Sequence, residues 1–160
     1  MARSTKKRTS SNQVTITRSE FFAAVRDRLQ ETLPAELQDI RTEASHRQMK
    51  LYYSRPRLHF EVWTNGRDGH IEIGLHFEEG PESTEALIRF FDPHILEIKH
   101  LLGPNVELER WTNSWGRIFQ LLPYQPLTEV LAEDVGNRLR HMIVVLQPLL
   151  DEALGRISPR

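Results

Sequence analysis

Two stretches of strict alternation constrain this chain more than anything else in it. Leu58, Phe60 and Val62 alternate with His59, Glu61 and Trp63, and past residues 65–69 the set Ile71, Ile73, Leu75 and Phe77 alternates with His70, Glu72, Gly74, His76 and Glu78. Successive side chains of a strand point to opposite faces, so each run has one apolar and one polar face. The turn-forming residues between them predict an antiparallel hairpin. Pairing Asn65 with His70 sets Trp63 opposite Glu72, Glu61 opposite Gly74 and His59 opposite His76, and slips by two residues keep the same face.

Elsewhere the period lengthens. Thr17 and Glu20 form a capping box, followed by the helical stripe Phe22, Val25, Leu29 and Leu33, which Pro34 stops. Residues 40–53 are mostly polar, with a strand expected at 50–53. Gly80 and Pro81 open a second helix with the stripe Leu87, Phe91, Ile95, Ile98 and Leu102, which Asp92-Pro93 should kink or split. Residues 106–111 and 115–121 read as a second hairpin, with Trp111 facing Trp115, Glu109 facing Arg117, and Leu108 and Ile118 turned to the core. The last helix, from about 128 to 157, should be interrupted by Pro148. Residues 142–150 are apolar almost all round, which requires burial on several sides, by the core or by a second chain.

The expected fold is therefore α+β: a five-stranded, mainly antiparallel sheet in the order α-β-β-β-α-β-β-α. Its helices lie on one face, and the other is left to water or a partner.

A length of 160 residues suits one domain, assigned to residues 13–158. Charged residues at 27% and hydrophobic ones at 39% favour neither a disordered nor a membrane chain. Arg3, Lys6, Lys7 and Arg8 give the first twelve residues +4; the overall charge being −1, the other 148 carry −5. Residues 1–12 read as a disordered basic tail, either solubilising or a nucleic-acid-binding arm. With no cysteine, disulfides, thiolate metal sites and a thiol nucleophile are excluded. No apolar run reaches the roughly 20 residues of a membrane span, and a cytoplasmic location is expected.

The polar faces carry the chemistry. Trp63, Trp111 and Trp115, with Arg117 and Glu109, form an aromatic and charged surface, read as a contact site for a protein partner; the alternative is that the indoles cap the hairpin ends. His59, Glu61, Glu72 and His76 fall within cross-strand reach and are the candidate ligands of a divalent metal, since imidazole and carboxylate suit zinc, manganese, nickel or iron. Against that stands the spacing of His59 and Glu61, about 6–7 Å along one strand face, and the lack of an H-E-x-x-H motif. Phosphate-loop, dinucleotide and hydrolase-elbow motifs are absent, and no cofactor is expected.

The strand at 71–77, the amphipathic helix with Phe91 and Ile98, Leu102-Gly103, the run E-L-E-R-W at 107–111 and Arg117-Ile118 resemble an uncharacterised domain family often fused to, or encoded beside, restriction-type nucleases. The resemblance covers residues 71–120 and implies only a nucleic-acid or defence context. By element order alone the chain is similar to the PD-(D/E)XK nuclease core, where Glu61 and Glu72 would be the acids but Gly74 stands at the lysine position. It is also similar to the homodimeric type III secretion chaperones. The reading is a non-enzymatic, homodimeric binding domain. The alternatives are a metal-dependent nuclease or hydrolase, active or decayed, at the Glu61/Glu72 hairpin, and a nucleic-acid accessory domain using the basic tail.

Overall fold

Thr17 starts the first helix as its spacing from Glu20 predicts. The Thr17 hydroxyl accepts the Glu20 N–H, the Glu20 carboxylate accepts the Thr17 N–H at 2.8 Å, and α1 (Arg18–Thr32) follows. The computed structural model describes residues 13–157; Arg3, Lys6, Lys7 and Arg8, and with them the tail reading, lie outside the described residues.

Six strands form one sheet: β1 (Arg41–Ala44), β2 (Gln48–Tyr52), β3 (Leu58–Asn65), β4 (His70–Phe77), β5 (Glu107–Arg110) and β6 (Gly116–Pro123). Their order is β1-β2-β3-β4-β6-β5, and every neighbouring pair is antiparallel. The expected count was one short. β1 is a polar edge strand with no buried residue, so it has no apolar alternation to read; it is held by pairing with β2 and by the Tyr52 hydroxyl, which donates to Glu43 at 2.7 Å. Both predicted registers hold, with Glu61 opposite Gly74, His59 opposite His76, and Glu109 opposite Arg117.

The helices cover one face. α2 (Pro81–Phe91) and α3 (Ile95–Leu102) are split by a 3₁₀ turn at Asp92–His94, where Pro93 cannot continue the ladder. α4 (Glu129–Ile157) packs on α1, α3 and β4. It runs unbroken through Pro148, contrary to expectation. That residue is exposed, and buried Leu146, Leu150 and Ala153 hold the helix on either side of it. Met142, Ile143, Leu146 and Leu150 are buried within the chain's own core, which accounts for the apolar run at 142–150. No described helix is long and apolar enough to cross a membrane.

Under the helices, β2, β3, β4 and β6 present Met49, Leu51, Phe60, Val62, Ile73, Leu75 and Ile118 as a continuous apolar floor. Parity then sends the intervening residues to the opposite face.

Candidate metal centre

On that opposite face the registers lay down three rows. Gln48, Trp63, Glu72 and Leu121 form one; Lys50, Glu61, Gly74, Phe119 and Glu107 the next; His59, His76, Arg117 and Glu109 the third. No helix roofs them, yet His59, Glu61, Glu72 and His76 are as buried as the core. Their cover comes from long neighbouring side chains on the same face, among them Lys50, Trp63, Trp111 and Arg117.

Gly74, at the centre of the middle row, makes this packing possible. A side chain there would place its Cβ 2.9 Å from the Phe119 Cβ, 3.0 Å from the Ile118 carbonyl oxygen and 3.4 Å from Glu72 Oε1. The gap lets Glu72 and His76, four residues apart on one strand, meet across it: His76 Nε2 donates to Glu72 Oε1 at 2.6 Å. The position that would hold a lysine in a PD-(D/E)XK site is thus the space that joins two other residues.

The ring nitrogens can be assigned from their partners. A backbone carbonyl only accepts, so His59 Nδ1, 2.9 Å from the Pro56 oxygen, carries a proton, and Nε2 faces Glu61 Oε2 at 3.0 Å and Glu78 Oε1 at 3.9 Å. His76 gives its Nε2 proton to Glu72, which turns Nδ1 toward Glu61 Oε2 at 3.9 Å and Glu78 Oε1 at 3.7 Å. Two imidazole nitrogens and two carboxylate oxygens therefore face one another, and one ligand atom from each of His59, Glu61, His76 and Glu78 lies within 4.8 Å of the rest. Lone pairs pointed at one another repel unless protons or a cation sit between them. The four His–Glu distances of 3.0–3.9 Å are of the size that separates ligands of one ion with bonds of about 2.0–2.2 Å.

Outside the cluster the supports are themselves supported. Arg117 Nη1 donates to Glu72 Oε2 at 2.7 Å and Nε to Glu109 Oε2 at 2.8 Å, and the guanidinium stacks on Phe119 and Trp111, 3.9 and 4.6 Å from their centroids. Trp111 meets His76 edge-on at 6.1 Å and Trp115 at 6.0 Å. The turn carrying both indoles is anchored to α2 by Thr84, whose hydroxyl donates to the Ser114 carbonyl at 2.7 Å. Burial pushes the His76 pKa down, but the neighbouring carboxylates of Glu72, Glu78 and Glu61 outweigh it and raise it to about 9. Glu78 is held below the usual carboxylate range, first by His76 and then, against partial burial, by the charges of His59 and Lys50.

Of the residues expected to bind metal, His59, Glu61 and His76 converge; Glu72 does not join them but engages His76 and Arg117 from outside. Its place is taken by Glu78. The alternation already put Glu78 on this face, and its His-x-Glu spacing from His76 repeats that of His59 and Glu61, which was the available signal. Strand spacing, which argued against a shared ion, measures Cα positions, whereas the side chains of His59 and Glu61 lean together. Trp111 and Trp115 remain 42% and 43% exposed, and Trp63 is half-buried. With Gln48 and Lys50 the three indoles line a cleft of about 340 Å³ whose floor is Glu61, His76 and Glu78. An adjoining hollow, lined by Trp63, His70, Glu72, Trp111 and Arg117, lies beside it.

No family model, curated protein or solved structure matches this chain, so the likeness of residues 71–120 to the nuclease-associated family brings no residue role into the site.

Proposed function

We propose that this protein binds one divalent transition metal ion through His59, Glu61, His76 and Glu78, and presents it at the floor of the indole-lined cleft. The observation that carries this reading is the convergence of four donor atoms, two of them on imidazole rings already fixed from outside the cluster. His59 gives its Nδ1 proton to a backbone carbonyl and His76 gives its Nε2 proton to a carboxylate, the outer support usual for metal-binding histidines. Charge agrees. Glu72 is countered by Arg117, so Glu61 and Glu78 supply −2 to the centre, and a divalent ion that displaces the extra proton of His76 brings it to zero. Nitrogen and oxygen donors without sulfur favour zinc, nickel, iron or manganese over copper(I).

The reading displaces two others. Glu61 and Glu72 serve different partners and position 74 has no cation, which weighs against the nuclease arrangement. A protein-docking surface would rest on the same indoles, but it leaves the donor cluster beneath them without a role.

Calorimetric titration with zinc, nickel and manganese chlorides tests the proposal. One-to-one binding is expected, with Tm rising by about 5–10 °C at a hundredfold excess over Kd. Glu78→Gln, at the most exposed of the four donors, should weaken binding more than about tenfold while the variant stays folded. Absence of heat and of any Tm change with all three metals refutes it.

A further inference from the structure

We propose that the cleft above the metal binds a planar aromatic carboxylate, whose oxygen reaches the ion while its ring stacks among Trp63, Trp111 and Trp115. The inference rests on the metal-centre reading and concerns what the centre receives. All three tryptophans of the chain line this one cleft. Two of them are also more than 40% exposed, a large aromatic area to leave in water unless something covers it. They are not loose: Arg117 and His76 fix Trp111, Trp111 fixes Trp115, and Thr84 ties down their turn. Pre-positioned rings lose little entropy on binding a flat partner.

The sign of the ligand's charge follows from the floor. With a divalent ion in place Glu61 and Glu78 are neutralised, Arg117 is occupied by Glu72 and Glu109, and the Lys50 ammonium, 3.9 Å from Glu78, is the remaining charge lining the cleft. That balance attracts an anion. Without the ion Glu61 and Glu78 are no longer neutralised by it, and the pull on an anion is lost. The cavity, about 340 Å³, lies at the lower end of the usual range for small-molecule sites. Glu78, the least buried donor, borders the cleft, which is the side from which one further donor could approach an ion held by the four residues.

Because all three indoles line the cleft, fluorescence excited at the red edge of indole absorption, where tyrosine does not absorb, reads it. The full chain, first shown by calorimetry to hold zinc, is titrated with benzoate, cyclohexanecarboxylate, acetate and trimethylanilinium, and the series is repeated after chelation. Benzoate is expected to change the emission saturably and to bind zinc-loaded protein at least about tenfold more tightly than either non-aromatic acid. Its affinity should fall by a similar factor without zinc, and in Trp115→Ala with zinc still bound. Equal affinity for benzoate and cyclohexanecarboxylate, benzoate binding indifferent to zinc, or preference of the loaded protein for trimethylanilinium overturns the inference and leaves the metal centre standing. Failure to bind zinc at all removes the metal centre itself.

Discussion

The β3–β4 hairpin has two faces that are equally hidden from water and chemically opposite. The inner face carries Phe60, Val62, Ile71, Ile73, Leu75 and Phe77 beneath the helices; the outer one carries His59, Glu61, Glu72 and His76 beneath nothing but neighbouring side chains. Dispersion and water exclusion hold the first, and any side chains of suitable size would serve. The second holds together only if each proton and each charge has a partner, since a buried carboxylate without one is costly. Polarity in an alternating strand therefore says which face a residue occupies, not whether that face is wet.

Substitutions should separate the two faces. Phe77, fully buried and stacked on Phe91 at 5.6 Å, is expected to cost about 3–5 kcal/mol when cut to alanine, read by urea denaturation. Arg117→Met should cost about 3 kcal/mol, because Glu72 is left buried without its counter-charge. The double variant Arg117→Met, Glu72→Leu should recover most of that loss while binding zinc about 10–100-fold more weakly than the wild type, since His76 then lacks the acceptor that orients it. Full zinc affinity in the double variant would show that Glu72 and Arg117 are packing alone.

The inner face was legible because a period of two and a period near 3.6 both survive in single residues: the hairpin registers, the Thr17 cap and the split at Pro93 all follow from local rules. Three features were not. β1 has no apolar residue in contact with the core, so its pairing is a tertiary fact. Pro148 breaks a local rule that the buried residues around it override. The burial of the outer face depends on Gly74 and on side chains from β2, β5 and β6, which lie far apart in the chain; parity could name Glu78 as a member of that face but not as the fourth donor.

Gly74→Ala sharpens the comparison at the one position where both demands meet. Its Cβ would press on the Phe119 Cβ and the Ile118 carbonyl, part of a paired strand that cannot yield freely, so a loss of about 1–3 kcal/mol is expected. Displacement of Glu72 should also lower zinc affinity. An alanine variant with wild-type stability and affinity would mean that the sheet absorbs the change and that the gap has no role.

Acidity should tell the faces apart without mutation. His76 is flanked by His59 and Glu61 on β3, by Glu72 and Glu78 along its own strand, and by Arg117 on β6, with Lys50 beyond Glu78. Its folded pKa is raised from 6.5 to about 9, so the stabilisation from its protonated form is complete below about pH 6.5 and is lost as pH rises through 9. Denaturation of chelated protein should show stability declining across that window. Zinc needs the unprotonated ring, so its own stabilisation should grow over the same range, and the gap between loaded and chelated protein should widen with pH. Parallel curves would place zinc elsewhere.

The smallest effect on stability belongs to the rim. Trp115→Ala removes an indole that is 43% exposed, touches Trp111 at 6.0 Å and contributes nothing to the hydrogen-bonded supports of the metal donors. A change within about 0.5 kcal/mol is expected, with zinc affinity preserved. A loss of more than about 1 kcal/mol would instead make the Trp111–Trp115 pair a structural clasp closing the β5–β6 turn, where cross-strand aromatic contacts are worth that much on their own. The two results assign the exposed indoles either to the cleft's occupant or to the hairpin itself, because an aromatic surface kept for a ligand can be cut away from the folded chain at little cost, whereas one kept for the fold cannot.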